Sequence, residues 1–275
     1  MQSEDKLLTK RLGILCAAAI LPAFAQVSSV PASSETTERL APRQHRPILD
    51  RVEHGDGTST STNWSGYAVT GTAFTTAVAS WIVPPATCSS GDQYAAFWVG
   101  LDGYSSGTVE QTGTDSDCVG KNPSYYAWYE FYPNPSFEIA SMTITPGDHM
   151  EAEVVYSGSE FTVTIKDVTT GKAYKKSSTV SGATRSSAEW IAEAPCCTSR
   201  GGILPLSDFG TVLFGKDSTG VAKTNVAVDS TTTGVIGAFG TIEEITMATS
   251  GGTPEAVPSA LSSDGSSFSV TWASQ

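Results

Sequence analysis

Charge is scarce in this 275-residue chain: Asp, Glu, Lys and Arg together make up 16%, against about 25% in ordinary soluble proteins. That excludes a charge-rich disordered chain and a coiled coil. Basic residues are scarcer still, 16 against 28 acidic ones, for a formal charge of −12. Nucleic acid, which needs clustered cations, is therefore excluded as a partner. Histidine occurs three times, and His45 and His54 both precede residue 60, which leaves His149 for the rest. His149 follows Pro146-Gly147-Asp148, where a solvated turn residue is a better reading than a Ser-His-Asp triad. There is no H-E-x-x-H helix, no Walker loop, no G-x-G-x-x-G after a strand and no pair of D-T-G or D-S-G motifs. No cofactor or metal is expected. The one apolar run, residues 12–24, is too short to span a bilayer, so no membrane anchor is expected either.

The front of the chain has its own logic. Lys6, Lys10 and Arg11 precede that apolar run, and Ala23-Phe24-Ala25 is a small-x-small cleavage site, so residues 1–25 read as a secretory signal and the protein as extracellular. Residues 26–62 turn to Ser, Thr, Pro and Arg and cannot bury enough surface to fold alone. The first 60 residues hold seven basic and seven acidic side chains, so the whole acid excess lies beyond them. Arg39, Arg43, His45, Arg46 and Arg51 thus face a carboxylate-rich remainder. This segment is expected to be a removable propeptide held by charge attraction, an intramolecular inhibitor weakened by acid, the alternative being a flexible linker.

Four cysteines remain after the signal: Cys88, Cys118, Cys196 and Cys197. An even count in an exported chain predicts disulfides, with Cys88–Cys118 and a vicinal Cys196–Cys197 bridge favoured among three pairings.

Residues 63–275 contain short segments of Val, Ile, Thr, Tyr, Phe and Trp between Gly, Pro, Asp and Ser turns. Residues 141–180 form a β-meander, with Met142/Ile144, Val154/Tyr156 and Phe161/Val163/Ile165 alternating between turns. Further strands are predicted at 77–83, 94–101, 125–132, 187–192, 211–214, 234–247 and 268–272. Ten or more strands in one domain predict an all-β sandwich of two antiparallel sheets, and the chain is expected to be a monomer.

What remains for chemistry is carboxylates, carboxamides and aromatics on strands. Val109, Gln111 and Gly113 share a face. So do Trp128, Glu130 and Tyr132, and Glu189 lies within Ser187-Ala188-Glu189-Trp190-Ile191-Ala192-Glu193. Together with Asn63-Trp64-Ser65-Gly66, Phe74, Ala79 to Pro84 and Phe97-Trp98-Val99-Gly100-Leu101-Asp102-Gly103, these segments resemble, in order, the glutamic peptidase family, the eqolisins. The resemblance implies a concanavalin A-like or jelly-roll sandwich with a concave substrate face and an acid-acting endopeptidase made with a signal and a propeptide. It implies a catalytic pair of Gln111, in Q-T-G, and Glu189, in A-E-W-I.

In that reading Glu189 takes the proton of water while Gln111 holds the oxyanion. Asp102, Asp115 and Glu130 tune the pair, and Trp64, Gly66, Trp98, Trp128 and Tyr132 line or support the peptide-binding face. The chain departs from its relatives at Tyr126, where they can carry an aspartate. Two other readings use the same features: a sandwich glycoside hydrolase with Glu130 and Glu189 as its carboxylates, and a noncatalytic lectin-like module.

Overall fold

The computed structural model describes residues 37–197 and 202–275. The expected signal and residues 26–36 of the expected propeptide lie outside the described residues. A lead-in carries β1 (Arg39–Leu40), β2 (Val52–Glu53) and β3 (Thr58–Ser61). The body follows with β4 (Trp64–Thr70), β5 (Thr76–Ile82), β6 (Ala96–Leu101), β7 (Val109–Val119), β8 (Asn122–Tyr132), β9 (Phe137–Thr143), β10 (His149–Ser157), β11 (Glu160–Asp167), β12 (Ala173–Ser178) and β13 (Ser187–Glu193). The last third adds β14 (Thr211–Phe214), β15 (Val226–Val228), β16 (Thr233–Val235), β17 (Ile242–Ala248), β18 (Pro254–Pro258) and β19 (Phe268–Trp272).

The strands form the expected sandwich. One sheet runs β3-β17-β4-β13-β6-β7-β8-β9, antiparallel except for the parallel β3–β17 pair. The other runs β18-β19-β14-β5-β10-β11-β12, and β15 takes the part of the β5 edge that β14 leaves. The β17–β18 pairing joins the two at one side.

Period-2 alternation decides which side chains enter the core. In β10 and β11 the residues Met150, Ala152, Val154, Phe161, Val163 and Ile165 are buried, while Glu151, Glu153, Thr162 and Thr164 between them are not. Those residues join Trp81, Phe97, Trp190, Phe209 and Phe214 in the core between the sheets. The middle strands behave differently: every residue of β6 and β13 is buried, on both faces. On their outer face Trp98 and Ile191 join Trp64, Trp128 and Ile245 in a second cluster against which Ala41 and Ile48 of the lead-in pack.

The lead-in is therefore a strap laid across the concave face. Its backbone is held at Ala41 N–H to Ser136 O (3.0 Å), by two bonds exchanged between Gln44 and Cys196 (3.1 and 2.9 Å), and at Ile48 N–H to Gly103 O (3.1 Å). Both expected disulfides are present, Cys88–Cys118 and Cys196–Cys197. The second lies beside the strap's Gln44 pairing.

Candidate active site

Residues directly opposite in an antiparallel pair share a face and stand about 5 Å apart, so the register lays out the concave floor in three parallel rows. One row is Ala68–Glu189–Gly100–Gln111–Glu130, the next is Gly66–Ile191–Trp98–Gly113–Trp128, and the third is Trp64–Glu193–Ala96–Asp115–Tyr126. Carboxyl groups occupy the two outer rows, and apolar residues and glycines the middle one. Gly100 leaves space on the floor: a Cβ there would stand 2.9 Å from the Trp98 ring and 3.3 Å from the Gln111 Cβ. Gly66, at φ +140°, lets β4 approach β13, since a Cβ would meet the Trp190 carbonyl at 2.2 Å.

His45 of the strap fills the middle of this floor. Its ring stacks on Trp128, with Nδ1 3.4 Å from Glu193 Oε2 and Nε2 3.8 Å from Asp115 Oδ1, all three side chains fully buried. Its backbone N–H donates to Glu130 Oε2 (3.0 Å), and its carbonyl accepts from Gln111 Nε2 (3.4 Å). The next N–H, that of Arg46, donates to Glu193 Oε1 (3.0 Å). One peptide group, His45–Arg46, thus has its oxygen on a carboxamide and its nitrogen on a carboxylate. Gln111 Nε2 also donates to Glu130 Oε2 (3.1 Å). Trp98 Nε1 donates to Glu193 Oε2 (2.8 Å), and Trp64 Nε1 to the Arg46 carbonyl (3.0 Å).

Burial governs the acids here. It pushes Glu130 well above the usual carboxylate range against the His45 and Gln111 donors, and Asp115 likewise, reinforced by the charge of Asp117. Asp117 itself is pushed up to about 7 by burial, opposed by Arg43. Tyr126 stands where relatives can carry an aspartate, and its hydroxyl donates to Asp115 Oδ2 (2.5 Å) and Asp117 Oδ2 (3.4 Å). A phenol has taken a place beside two buried acids where a further carboxylate would have been repelled.

The expected residues divide into two sets. Gln111, Glu130, Asp115, Trp64, Trp98 and Trp128 meet around the strap, and half-buried Tyr132 packs at the margin of their cluster. Glu189 does not join them. It shares a row with Gln111 two strands away, and no hydrogen bond links it to Gln111 or to the strap. The Ser187 hydroxyl and the Tyr104 N–H approach its carboxyl, yet neither oxygen reaches hydrogen-bonding geometry. Burial raises its pKa, as do the charges of Asp102 and Glu110.

Asp102 is committed elsewhere, accepting the N–H groups of Thr184, Arg185 and Ser186 (2.9, 2.6 and 2.9 Å) and fixing the turn that enters β13. Of the two β13 glutamates on this face, it is Glu193 that meets the strap. Sequence alternation places Glu189 and Glu193 on the same face and cannot choose between them. His45 and Tyr126 carry no motif that marks them as parts of a site.

The paired-carboxylate geometry of a glycosidase is not met by Glu130 and Glu189. They stand three strand spacings apart, about 14 Å, beyond the 5–9.5 Å such chemistry uses. Among the described residues no group of three or more His, Cys, Asp or Glu side chains is arranged to hold a metal ion.

Residues 62–260 match the model of the Peptidase A4 family. The chain is 30% identical over 178 residues to aspergillopepsin-2 of Aspergillus niger and 36% identical over 174 residues to scytalidopepsin B of Scytalidium lignicola. These alignments cover 56% and 61% of this chain, and 62% and 64% of those proteins. The chain therefore spans less than two thirds of the length of these curated relatives. Among solved structures it resembles scytalido-glutamic peptidase in complex with a transition state analog inhibitor, at TM-score 0.65 and 25% identity, covering 77% of this chain and 98% of that one. It also resembles aspergilloglutamic peptidase of Aspergillus niger, at TM-score 0.54 and 27% identity, covering 66% and 99%.

Proposed function

Since the chain belongs to the Peptidase A4 family, we propose that it is a secreted, acid-acting endopeptidase that hydrolyses peptide bonds in proteins with Gln111 and Glu193 as its working pair. The observation that carries this reading is the His45–Arg46 peptide, whose oxygen accepts from Gln111 and whose nitrogen donates to Glu193. Glu193 here takes the role that the resemblance assigned to Glu189.

Peptide hydrolysis needs a base for the attacking water, a donor for the oxyanion and an acid for the leaving nitrogen. Gln111 Nε2 is within reach of the carbonyl oxygen where negative charge develops. A carboxylate at Glu193 can accept the water's proton and return it to the nitrogen beside it. Trp98 Nε1 fixes that carboxylate, and Glu130 fixes the Gln111 amide. Oε1 of Gln111 has no hydrogen-bond partner among the described residues and can orient the water. A carboxamide carries no proton to share, so the pair avoids the coupled ionisation of two adjacent carboxylates.

In this reading residues 1–25 direct export, and residues 26–62 form a propeptide whose strap blocks the groove until removed. The floor is complete within one chain, which supports a monomer. The test is hydrolysis of unfolded casein between pH 3 and 6 by the secreted protein in the presence of pepstatin and a chelator. Turnover unaffected by both is expected, and its absence after strap removal rejects the reading.

A further inference from the structure

The strap is clamped at its start, away from the floor. The Glu38 carboxylate accepts from Tyr129 Oη (2.8 Å), from Lys176 Nζ (3.0 and 3.2 Å to its two oxygens) and from Tyr174 Oη. Tyr129 belongs to β8 of one sheet, Tyr174 and Lys176 to β12 at the end of the other. Arg39 and Leu40 then pair with Glu138 and Phe137 on the outer edge of β9. Glu38 does not hold its donors in place, because they hold one another. The Tyr129 ring stacks on both Phe137 and Tyr174, with centroids 5.6 Å apart in each pair, and the Lys176 ammonium stands 5.8 Å from the Tyr129 centroid. A cavity of about 350 Å³ surrounds the group, with Phe131, Asn134 and Pro135 in its wall. Lys172, Lys175 and Lys176 make this edge cationic in a chain of charge −12.

The donor set selects a carboxylate. A lysine ammonium has no acceptor, so three donors aimed at one pair of oxygens match an acceptor-only group and leave a carboxamide, with its single oxygen, short of acceptors. Charge strengthens each of these bonds, and the donors, Tyr174 foremost, draw the Glu38 pKa below its ordinary value. With the strap gone, the β9 edge regains unpaired backbone groups, which an extended peptide can take up as an added strand. The strap also shows the spacing. Glu38 is the eighth residue back from the His45–Arg46 bond that spans Gln111 and Glu193.

We propose that, once the strap has left, Tyr129, Tyr174 and Lys176 form a subsite for an acidic side chain of the protein substrate, so that the enzyme favours segments with Glu or Asp at the eighth residue before the bond it cuts. The proposal rests on the reading of the chain as a peptidase with Gln111 and Glu193 at that bond. Seven strand residues, roughly 23 Å of extended chain, separate the subsite from the chemistry. It therefore holds ground state and transition state alike, and its effect falls on KM rather than kcat.

The test uses protein expressed as the full chain and collected after strap removal, at pH 5, where a free glutamate side chain is mostly ionised. Two unfolded 16-residue peptides share one cleavable centre and differ only in Glu or Gln at the eighth residue before the cut bond, which mass spectrometry locates. A second pair carries a reduced, uncleavable bond there and serves for Kd by calorimetry. The Glu peptide is expected to exceed the Gln peptide at least about 10-fold in kcat/KM and in affinity, with kcat alike. Lys176→Met and Tyr174→Phe are each expected to bring both ratios at least about threefold closer to unity. Equal Kd values for the uncleavable pair overturn the proposal, as does a preference for Glu that both variants leave intact. If the peptides are cut without preference, the subsite alone fails. If neither is cut, the peptidase reading fails and takes the substrate role of the subsite with it, whatever the Kd ratio.

Discussion

The imidazole of His45 lies flat on the indole of Trp128, with ring centroids 3.6 Å apart and planes 9° from parallel. A strap side chain thus occupies the centre of the floor while its backbone spans the Gln111–Glu193 pair. Stacked ring pairs contribute about 0.5–1.5 kcal/mol beyond burial, so His45→Ala is expected to raise strap opening roughly 2- to 13-fold. Hydrogen exchange of the Gln44, Arg46 and Ile48 amides measures it. Unchanged protection would mean that the clamps at Glu38 and Ile48 hold the strap without the ring.

Arg43 sits over the Tyr94 ring at 3.8 Å and opposes the burial that pushes Asp117 up to about 7. Removing the guanidinium leaves burial unopposed. Arg43→Ala is therefore expected to move the Asp117 titration midpoint upward, and carboxyl NMR of the full chain reads it. A downward shift would place the guanidinium's influence elsewhere.

Stability is expected to fall as pH rises. Burial raises Glu110 to about 9 and holds Glu130, Asp115 and Glu189 well above their ordinary values. Above about pH 4.5 the folded state keeps protons that the unfolded chain gives up, so these groups stabilise the fold below the unfolded pKa and lose that contribution as pH climbs toward the folded one. For Glu110 the window runs from about 4.5 to about 9. Calorimetry at pH 4 and pH 8 is expected to show a lower Tm at pH 8. An equal or higher value there would contradict the burial of these acids.

The Cys88–Cys118 bridge closes a 30-residue separation, for which chain entropy gives about 3–4 kcal/mol. At roughly 2–4 °C per kcal/mol for a domain of this size, Cys88→Ala/Cys118→Ala is expected to lower Tm by about 6–16 °C. Scanning calorimetry of the double variant decides it.

Much of the fold was legible because it rests on period-2 alternation. The meander of residues 141–180 turns at Gly147, Gly158 and Gly171, all at positive φ, and its predicted inward residues are buried except Tyr156, which is half-buried against the core. The motif singled out Gln111, and the resemblance pointed to β13 for its partner. Alternation repeats every two residues, so it put Glu189 and Glu193 on one face without saying which meets the strap. That depends on the rows set by pairing across β13, β6 and β7, a long-range register no local pattern encodes. The strap was visible only as charge and composition. Its path is fixed by backbone bonds to Ser136, Cys196 and Gly103, which no side-chain pattern announces, and β3 joins the sheet although its Thr-Ser sequence reads as linker.

In the proposed function Glu193, not Glu189, works with Gln111. Glu193→Gln and Glu189→Gln, both near-isosteric, are compared by kcat/KM on an unfolded peptide at pH 4 after strap removal, beside Gln111→Ala. Glu193→Gln and Gln111→Ala are expected to lose at least 100-fold, and Glu189→Gln to stay within about threefold of the parent, because a neutral amide replaces a carboxyl that burial already keeps protonated. Full activity in Glu193→Gln together with loss in Glu189→Gln would contradict the account and return the role to Glu189.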